Sequence, residues 1–244
     1  MTTTTALFRA TAVLVGLSWH GSLPAAAFQN LDFESARTPL VANDPLGYGR
    51  VPITDALPGW RGYVGTNAQA LVLNNLAFLS SAGVGLAGPG EWHGALFPRN
   101  IIGGSYSAFL QTGPDVAQGP PLTFYSSLGQ VGLVPLSAMS LQLRIDAYGP
   151  FSVSLGGQPL ALVPLQTAPG STLYGADISS FAGQTTDLRI TSDVWLGPAG
   201  LSHLWLDSIV FSPVAVPEPS VFGFVLVGAA ALWVRRSYSK RLPR

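Results

Sequence analysis

The chain contains no cysteine among its 244 residues. Structural disulfides, thiolate metal sites and cysteine nucleophiles are therefore excluded. An exported domain without disulfides must be stabilised by its hydrophobic core or by a hard metal ion that binds oxygen ligands.

Charged residues are scarce and unevenly distributed. Asp, Glu, Lys and Arg make up 10% of the chain, and its net charge is zero. Residues 28–213 contain 6 arginines, no lysine and 11 acidic residues, which gives this region a net charge of −5. Binding of nucleic acid requires basic patches that neutralise phosphates. We therefore expect no nucleic-acid partner, and no attraction of this region to an anionic membrane surface.

The motifs of common catalytic sites are also lacking. The acidic region has two histidines, His93 and His203, whose spacing does not fit a zinc site, and it has no Gly-x-Ser-x-Gly nucleophile elbow. Glycoside hydrolysis needs two facing carboxylates, and the sequence pairs none of its acids, such as Glu91, Asp115 and Asp193. We expect a non-catalytic protein. A polysaccharide-acting hydrolase with an unrecognised site is an alternative.

Residues 1–27 have the pattern of a secretory signal peptide. Arg9 supplies a positive charge, residues 10–17 are apolar, and residues 25–27 are three alanines. The alanines place small side chains at positions −3 and −1 of a cleavage before Phe28. The alternative, an N-terminal core helix, would have to precede a chain that otherwise consists of strands and turns. We expect export and removal of this segment.

Residues 214–244 contain a polar motif, an apolar run and a basic stretch. These are Pro217, Glu218 and Pro219; residues 221–234; and Arg235 with Arg236. As a helix the apolar run would be about 21 Å long, at roughly 1.5 Å per residue, against a bilayer core of about 30 Å. Snorkelling of the arginines and local thinning of the bilayer reduce this mismatch. Since Lys and Arg prefer the cytoplasmic side, we expect the basic stretch inside and the preceding chain outside.

This three-part tail resembles the PEP-CTERM sorting signal of Gram-negative bacteria, which is read by a membrane transpeptidase, exosortase. The resemblance covers only the tail, and every element of the family pattern is present. It implies recognition by exosortase at the Pro-Glu-Pro motif, a short transmembrane helix that anchors the protein before processing, and delivery to the cell envelope, cell surface or extracellular matrix. The alternative is a plain C-terminal anchor, in which the motif only ends the preceding domain.

Residues 28–213 are predicted to form one all-β domain. Leu141, Leu143 and Ile145 alternate with polar residues, as in a strand with one buried face. Glycine and proline interrupt the region at short intervals, and a hairpin turn is expected at Gly156 and Gly157. Further strands are expected over residues 68–73, 106–111, 123–130, 151–155, 158–163, 172–178, 187–191 and 203–211. Many short strands with turns between them favour an antiparallel β-sandwich.

Several short motifs occur in an order that suggests a narrower class of fold. They are Asn30-x-x-Phe33-Glu34, Gly59-Trp60 and Leu206-Asp207-x-Ile209-x-Phe211. This order resembles that of the galactose-binding-like jelly rolls, which include carbohydrate-binding modules. The resemblance implies a jelly roll with a structural calcium ion where the first and last strands meet. Carried over to this chain, the candidate calcium ligands are Glu34 and Asp207, with Asp32 less favoured. The alternative is a solvated carboxylate at Glu34 and a capping or turn residue at Asp207.

Carbohydrate binding requires aromatic platforms beside polar groups. Trp92 and His93 lie in a glycine-rich stretch and are the first candidates, and Trp195 is the second. The alternative for Trp92 is a side chain that anchors its loop, while Trp60 and Trp205 are expected in the core. The sequence thus favours a non-catalytic surface or matrix protein associated with exopolysaccharide. A carbohydrate-binding surface module is the main alternative.

Overall fold

The computed structural model describes residues 26–39, 49–77, 81–94, 98–114, 123–194 and 202–216, and the structural statements below refer to them. Residues 1–25, the Pro-Glu-Pro motif, the apolar run, Arg235, Arg236 and Trp195 lie outside the described residues. Within the described ranges, no helix has both the length and the apolar character needed to cross a membrane.

Regular structure in the described residues is almost entirely β. In chain order the strands are β1 (Val51–Pro52), β2 (Arg61–Val64), β3 (Asn67–Gln69), β4 (Leu71–Asn74), β5 (Leu76–Ala77), β6 (Gly83–Ala87), β7 (His93–Gly94), β8 (Ser107–Gln111), β9 (Gly113–Pro114), β10 (Thr123–Phe124), β11 (Ser126–Leu133), β12 (Ser140–Tyr148), β13 (Phe151–Leu155), β14 (Gln158–Pro159), β15 (Val163–Ala168), β16 (Ser171–Asp177), β17 (Thr185–Ser192) and β18 (His203–Ser212). A single helical turn, α1 (Ile53–Ala56), and a 3₁₀ turn (Ser179–Phe181) are the helical segments of these ranges.

The strands form two large sheets. One sheet has the order β1-β4-β6-β8-β18-β12-β16-β15, and the other has the order β14-β13-β17-β11-β2-β3. Two small sheets pair β10 with β9 and β5 with β7. Pairing is antiparallel except between β4 and β6 and between β5 and β7.

The core lies between the two large sheets. Leu128 and Leu188 of the six-stranded sheet and Leu143 and Leu206 of the eight-stranded sheet are fully buried in one cluster. The alternation predicted for β12 is confirmed, since Leu141, Leu143 and Ile145 are buried while Gln142 and Arg144 are half-buried. The described residues therefore form an all-β sandwich, as predicted for residues 28–213.

The last strand, β18, is apolar on both of its faces because both faces are covered. It lies between β8 and β12 in the eight-stranded sheet. Leu204 and Leu206 point into the sandwich, whereas Trp205 packs with Phe109 in a second cluster. The prediction that Trp60 and Trp205 are core residues is confirmed, since they are 4% and 1% exposed.

Three predicted strands are wrong in detail. The stretch 68–73 divides at Ala70 into β3 and β4, which belong to different sheets, because the carbonyl of Ala70 accepts the amide of Ile53 (3.0 Å) at the start of α1. The stretch 158–163 forms the predicted hairpin with β13 only over β14, and the chain then crosses to the other sheet as β15. The stretch 123–130 is interrupted at Tyr125 and continues as β11 to Leu133.

The two ends of the domain meet at one end of the sandwich, which we term the junction end (residues 26–28, 133–140, 178–184 and 209–216). The amide of Leu133 donates to the carbonyl of Ala26 (2.9 Å), and the amide of Met139 donates to the carbonyl of Ser212 (2.8 Å). The hydroxyl of Ser140 donates to the carbonyl of Val214 (2.7 Å). The described chain thus enters and leaves the sandwich at the junction end.

Candidate functional site

The motifs that open and close the domain are in contact. The indole Nε1 of Trp60 donates to the carbonyl of Asn30 (3.0 Å), and the rings of Trp60 and Phe33 pack with centroids 5.6 Å apart. The amide of Ile209 in β18 donates to the carbonyl of Leu31 (2.9 Å). The opening segment is therefore bound both to the turn before β2 and to the last strand.

Backbone strain is concentrated at this contact. Asn30, Phe33 and Ser208 have φ values of 50°, 60° and 52°. Asparagine tolerates this left-handed region, but a bulky residue such as phenylalanine rarely adopts it and pays an energetic cost there. Gln142 of β12 pairs with Val210 of β18, whereas Arg144 pairs with Asp207, so the register shifts between these two pairs and Ser208 and Ile209 lie in the shift. A bulge at Ser208 therefore follows directly after Asp207 and changes the path of β18 there.

Asp207 is a buried carboxylate held by a loop. It is 1% exposed, and its Oδ2 accepts hydrogen bonds from the amide of Gly103 (3.0 Å) and the hydroxyl of Ser107 (2.7 Å). Its Oδ1 accepts from the amide of Ser208 (2.6 Å). Burial raises the pKa of Asp207 above its usual range, although the hydrogen bonds from Ser107, Ser208 and Gly103 act in the opposite direction.

Glu34 binds the same loop from the other side. Its Oε1 accepts hydrogen bonds from the amides of Ser105 (2.8 Å) and Tyr106 (3.0 Å), while the side chain as a whole is exposed. Gly104 has φ +56°, and a Cβ added there would collide with the Glu34 carboxylate. We name Glu34, Asp207 and residues 103–107 the carboxylate clasp. The structure thus brings the two predicted calcium ligands to one loop.

The donor set of the clasp does not fit a calcium shell. Calcium takes six to eight oxygen ligands, whereas the clasp presents N–H and O–H hydrogens to both carboxylates. In the described part of the chain, no group of three or more His, Cys, Asp or Glu side chains could hold a metal ion. Asp32, the less favoured candidate, is exposed, and its Oδ1 accepts the amide of Glu34 (3.3 Å). No observation of the described residues supports calcium at the clasp, and its binding there stays a prediction.

Trp92 packs on the outer surface of the eight-stranded sheet. Its ring lies 5.3 Å from that of Trp205 and 6.0 Å from that of Phe109, and it is half-buried. His93 is exposed, and its amide donates to the carbonyl of Asn75 (2.8 Å). Trp92 thus anchors its loop on an aromatic cluster while one part of its surface remains accessible.

A second exposed aromatic site, the pair of Tyr148 and His203, was not predicted from the sequence. Tyr148 and His203 stack with centroids 5.6 Å apart and an interplanar angle of 20°, and Tyr148 is 51% exposed. Asp146 belongs to β12, as Tyr148 does, and its Oδ2 accepts a hydrogen bond from Nδ2 of Asn100 (2.7 Å). Burial lowers the pKa of His203, while the charge of Asp146 opposes this shift. The pair arises from the register of β12 with β18, which the sequence does not reveal.

No protein-family model matches the chain, and no curated protein matches it. Among solved structures, the chain is similar to a Stig cyclase, FisC, from Fischerella sp. TAU, in complex with (3Z)-3-(1-methyl-2-pyrrolidinylidene)-3H-indole. The identity is 18%, the match covers 77% of this chain and 96% of that chain, and the TM-score is 0.40. A likeness at this level carries no inference about activity.

Proposed function

We propose that this chain is an exported, non-catalytic protein that is anchored by its tail, sorted by exosortase and released to the cell surface or matrix in association with exopolysaccharide. The order of the tail carries the proposal: Pro217, Glu218 and Pro219 precede an apolar run that ends at Arg235 and Arg236. A polar motif just outside a short apolar segment is accessible to a membrane-bound transpeptidase.

The position of the two ends of the domain supports the proposed tether. Hydrogen bonding extends through Val214, whose carbonyl accepts the hydroxyl of Ser140, and the motif begins three residues later. The predicted cleavage before Phe28 lies at the same junction end. A domain that is tethered at one end presents the motif between itself and the membrane, and its remaining surface stays available for partners outside the cell.

The jelly-roll topology and its relation to carbohydrate-binding modules form part of the proposal. The contacts of Trp60 with Asn30 and of Ile209 with Leu31 support it, because they join the motifs that carried the resemblance.

Cell fractionation tests the sorting proposal. In a bacterium with an exosortase, protein expressed from the natural sequence is expected in the outer envelope or the medium after processing, whereas Glu218→Ala and a deletion from Arg235 onward should leave precursor in the inner membrane. Glu91→Ala, an exposed glutamate in the domain, is the matched control and should fractionate as the natural chain does. If Glu218→Ala fractionates as the natural chain, the motif has no role in sorting.

Carbohydrate binding is the second candidate function, and the stack of Tyr148 on His203 is the observation that favours it. Exposed aromatic faces bind apolar surfaces of sugar rings, and Asp146 with Asn100 supplies polar groups in the adjoining positions. A glycan array should then show binding that Tyr148→Ala abolishes and Trp92→Ala weakens. Tyr125→Ala, at another exposed tyrosine, should leave binding unchanged. The absence of binding to any glycan would reject this candidate.

A further inference from the structure

Exposed aliphatic and methionine side chains gather at the junction end. Leu136 is 87% exposed, Val214 65% and Met139 44%, and Val210 in the same region is half exposed. The exposed tyrosines of the described residues, Tyr125 and Tyr148, lie toward the opposite end of the strands. Soluble domains rarely place several exposed apolar residues together without a partner.

In the segments that define the junction end no side chain is charged, and the predicted cleavage before Phe28 adds one α-amino group there. Residues 133–140, 178–184 and 209–216 contain no Asp, Glu, Lys or Arg, although these segments lie at the surface in turns and strand ends. Asp177 borders the end and is tied to the 3₁₀ turn through the amide of Ser179 (2.8 Å). A surface without charged side chains approaches an apolar phase at a smaller cost of removing ions from water.

A rigid backbone presents these side chains. The amide of Val134 donates to the carbonyl of Gln184 (2.9 Å), and the amide of Gly183 returns a bond to the carbonyl of Val134 (3.0 Å). A Cβ added at Gly183 would lie 2.7 Å from Cδ2 of Leu136, so Leu136 rests against the neighbouring turn. The backbone beside Leu136 is therefore hydrogen-bonded to the turn at residues 183–184, against which the Leu136 side chain packs.

The tether brings this end close to the membrane. The described chain ends at Val216, and the apolar run begins at Val221. Five residue steps span at most about 18 Å, at roughly 3.6 Å per residue. The headgroup layer on each side of the hydrocarbon core is roughly 5–7 Å thick. The junction end thus cannot move far from the lipid while the tail is in place.

We infer that the junction end rests on the lipid headgroup region before sorting, with Leu136, Met139 and Val214 in contact with the membrane. The inference depends on the proposed function, since the tail must first anchor the chain. An apolar cleft of about 270 Å³ at the same end is lined by residues that include Leu133, Pro135 and Phe211. The orientation places the Pro-Glu-Pro motif at the membrane surface, where a transpeptidase of the bilayer acts.

The natural absence of cysteine permits a direct test. Leu136→Cys, Met139→Cys and the control Thr66→Cys, in the turn after β2 at the opposite end, are each made in the full chain and labelled with bimane. The labelled proteins are reconstituted into phosphatidylcholine vesicles that contain acyl-brominated lipid. We expect all three proteins to float with the vesicles, and we expect bimane at positions 136 and 139 to be quenched at least threefold more than at position 66. Salt and added anionic lipid should not change this ratio.

Each outcome of the test is decisive. Proteins that float but show equal quenching at positions 136, 139 and 66 would overturn the membrane orientation and leave the anchor intact. Proteins that do not float would reject the anchor, and the orientation with it. A third outcome concerns the protein without lipid. If the labels at positions 136 and 139 then become more shielded from solvent as the protein concentration rises, this surface binds a second copy of the chain. Melting curves that match the unmodified protein confirm that the substitutions leave the fold unchanged.

Discussion

The ring of Phe28 stacks on the ring of Phe211, with centroids 4.8 Å apart and an interplanar angle of 25°. The two residues lie near opposite ends of the domain sequence. A Cβ added at Gly132 would lie 2.7 Å from the Phe28 ring, so the absence of a side chain on β11 makes room for this contact. The pair therefore joins the start and the end of the domain at the junction end.

We predict that this stacking stabilises the fold. In a double-mutant cycle with Phe28→Leu and Phe211→Leu in residues 28–216, measured by urea unfolding, the coupling energy should be about 0.5–1.5 kcal/mol, the range for paired aromatic rings. The matched control pairs Phe28→Leu with Phe151→Leu, because Phe151 packs instead on Tyr174 (5.4 Å). Additive effects in the Phe28 and Phe211 cycle would show that the rings contribute no specific interaction.

The clasp predicts unequal effects at its two carboxylates. Asp207→Asn replaces one acceptor by an N–H donor beside the amides of Gly103 and Ser208, and it should lower the free energy of unfolding by about 1–3 kcal/mol. Glu34→Gln keeps an acceptor for the two loop amides at an exposed position and should cost less than about 1 kcal/mol. Thermal and urea unfolding measure both changes, with Glu91→Gln as the exposed control.

The same variants distinguish the clasp from a calcium site. If hydrogen bonds alone hold the loop, calcium and chelator should leave the melting temperature of residues 28–216 unchanged. A rise of several degrees with calcium, smaller with magnesium and lost in both Asp207→Asn and Glu34→Gln, would establish the calcium site that the sequence motifs imply.

His203 should make stability depend on pH. Because burial lowers its pKa, the folded state binds fewer protons than the unfolded state between that lowered pKa and the ordinary value of about 6.5. Its contribution is therefore fully present above about pH 6.5 and is lost as the pH falls through this window. His203→Gln should flatten the pH profile of the unfolding free energy in that window. Equal slopes for the natural chain and His203→Gln would contradict the assignment.

Much of the fold could be predicted because alternation depends on local sequence. The spacing of Leu141, Leu143 and Ile145 gave β12 its buried face, and the two glycines at 156 and 157 gave the β13–β14 hairpin. The exchange of sheets at Ala70 was missed, since the hydrogen bond between the carbonyl of Ala70 and the amide of Ile53 joins residues far apart in the chain, and local periodicity does not reveal it. Sheet membership is a tertiary property that periodicity does not contain.

The candidate sites were predicted only in part. Glu34 and Asp207 were predicted as a site from the motifs that contain them. The loop at residues 103–107, which donates hydrogen bonds to both carboxylates, was not predicted, because nothing in its sequence indicates contact with either residue. The stacking of Tyr148 on His203 was not predicted, because the two residues become neighbours only through the register in which β12 pairs with β18. Leu136, Met139 and Val214 lie together because the turn before β12 is hydrogen-bonded to the end of the domain. The sequence of either segment alone does not predict this contact.

The most direct test of the central claim is mass spectrometry that identifies the C-terminal residue of protein recovered from the cell surface or medium. Sorting at Pro217, Glu218 and Pro219 predicts a chain that ends at or near this motif, with residues 221–244 absent, while Glu218→Ala yields inner-membrane protein that ends at Arg244. Surface protein that retains an intact Arg244 terminus would contradict the account and leave the tail as a plain membrane anchor.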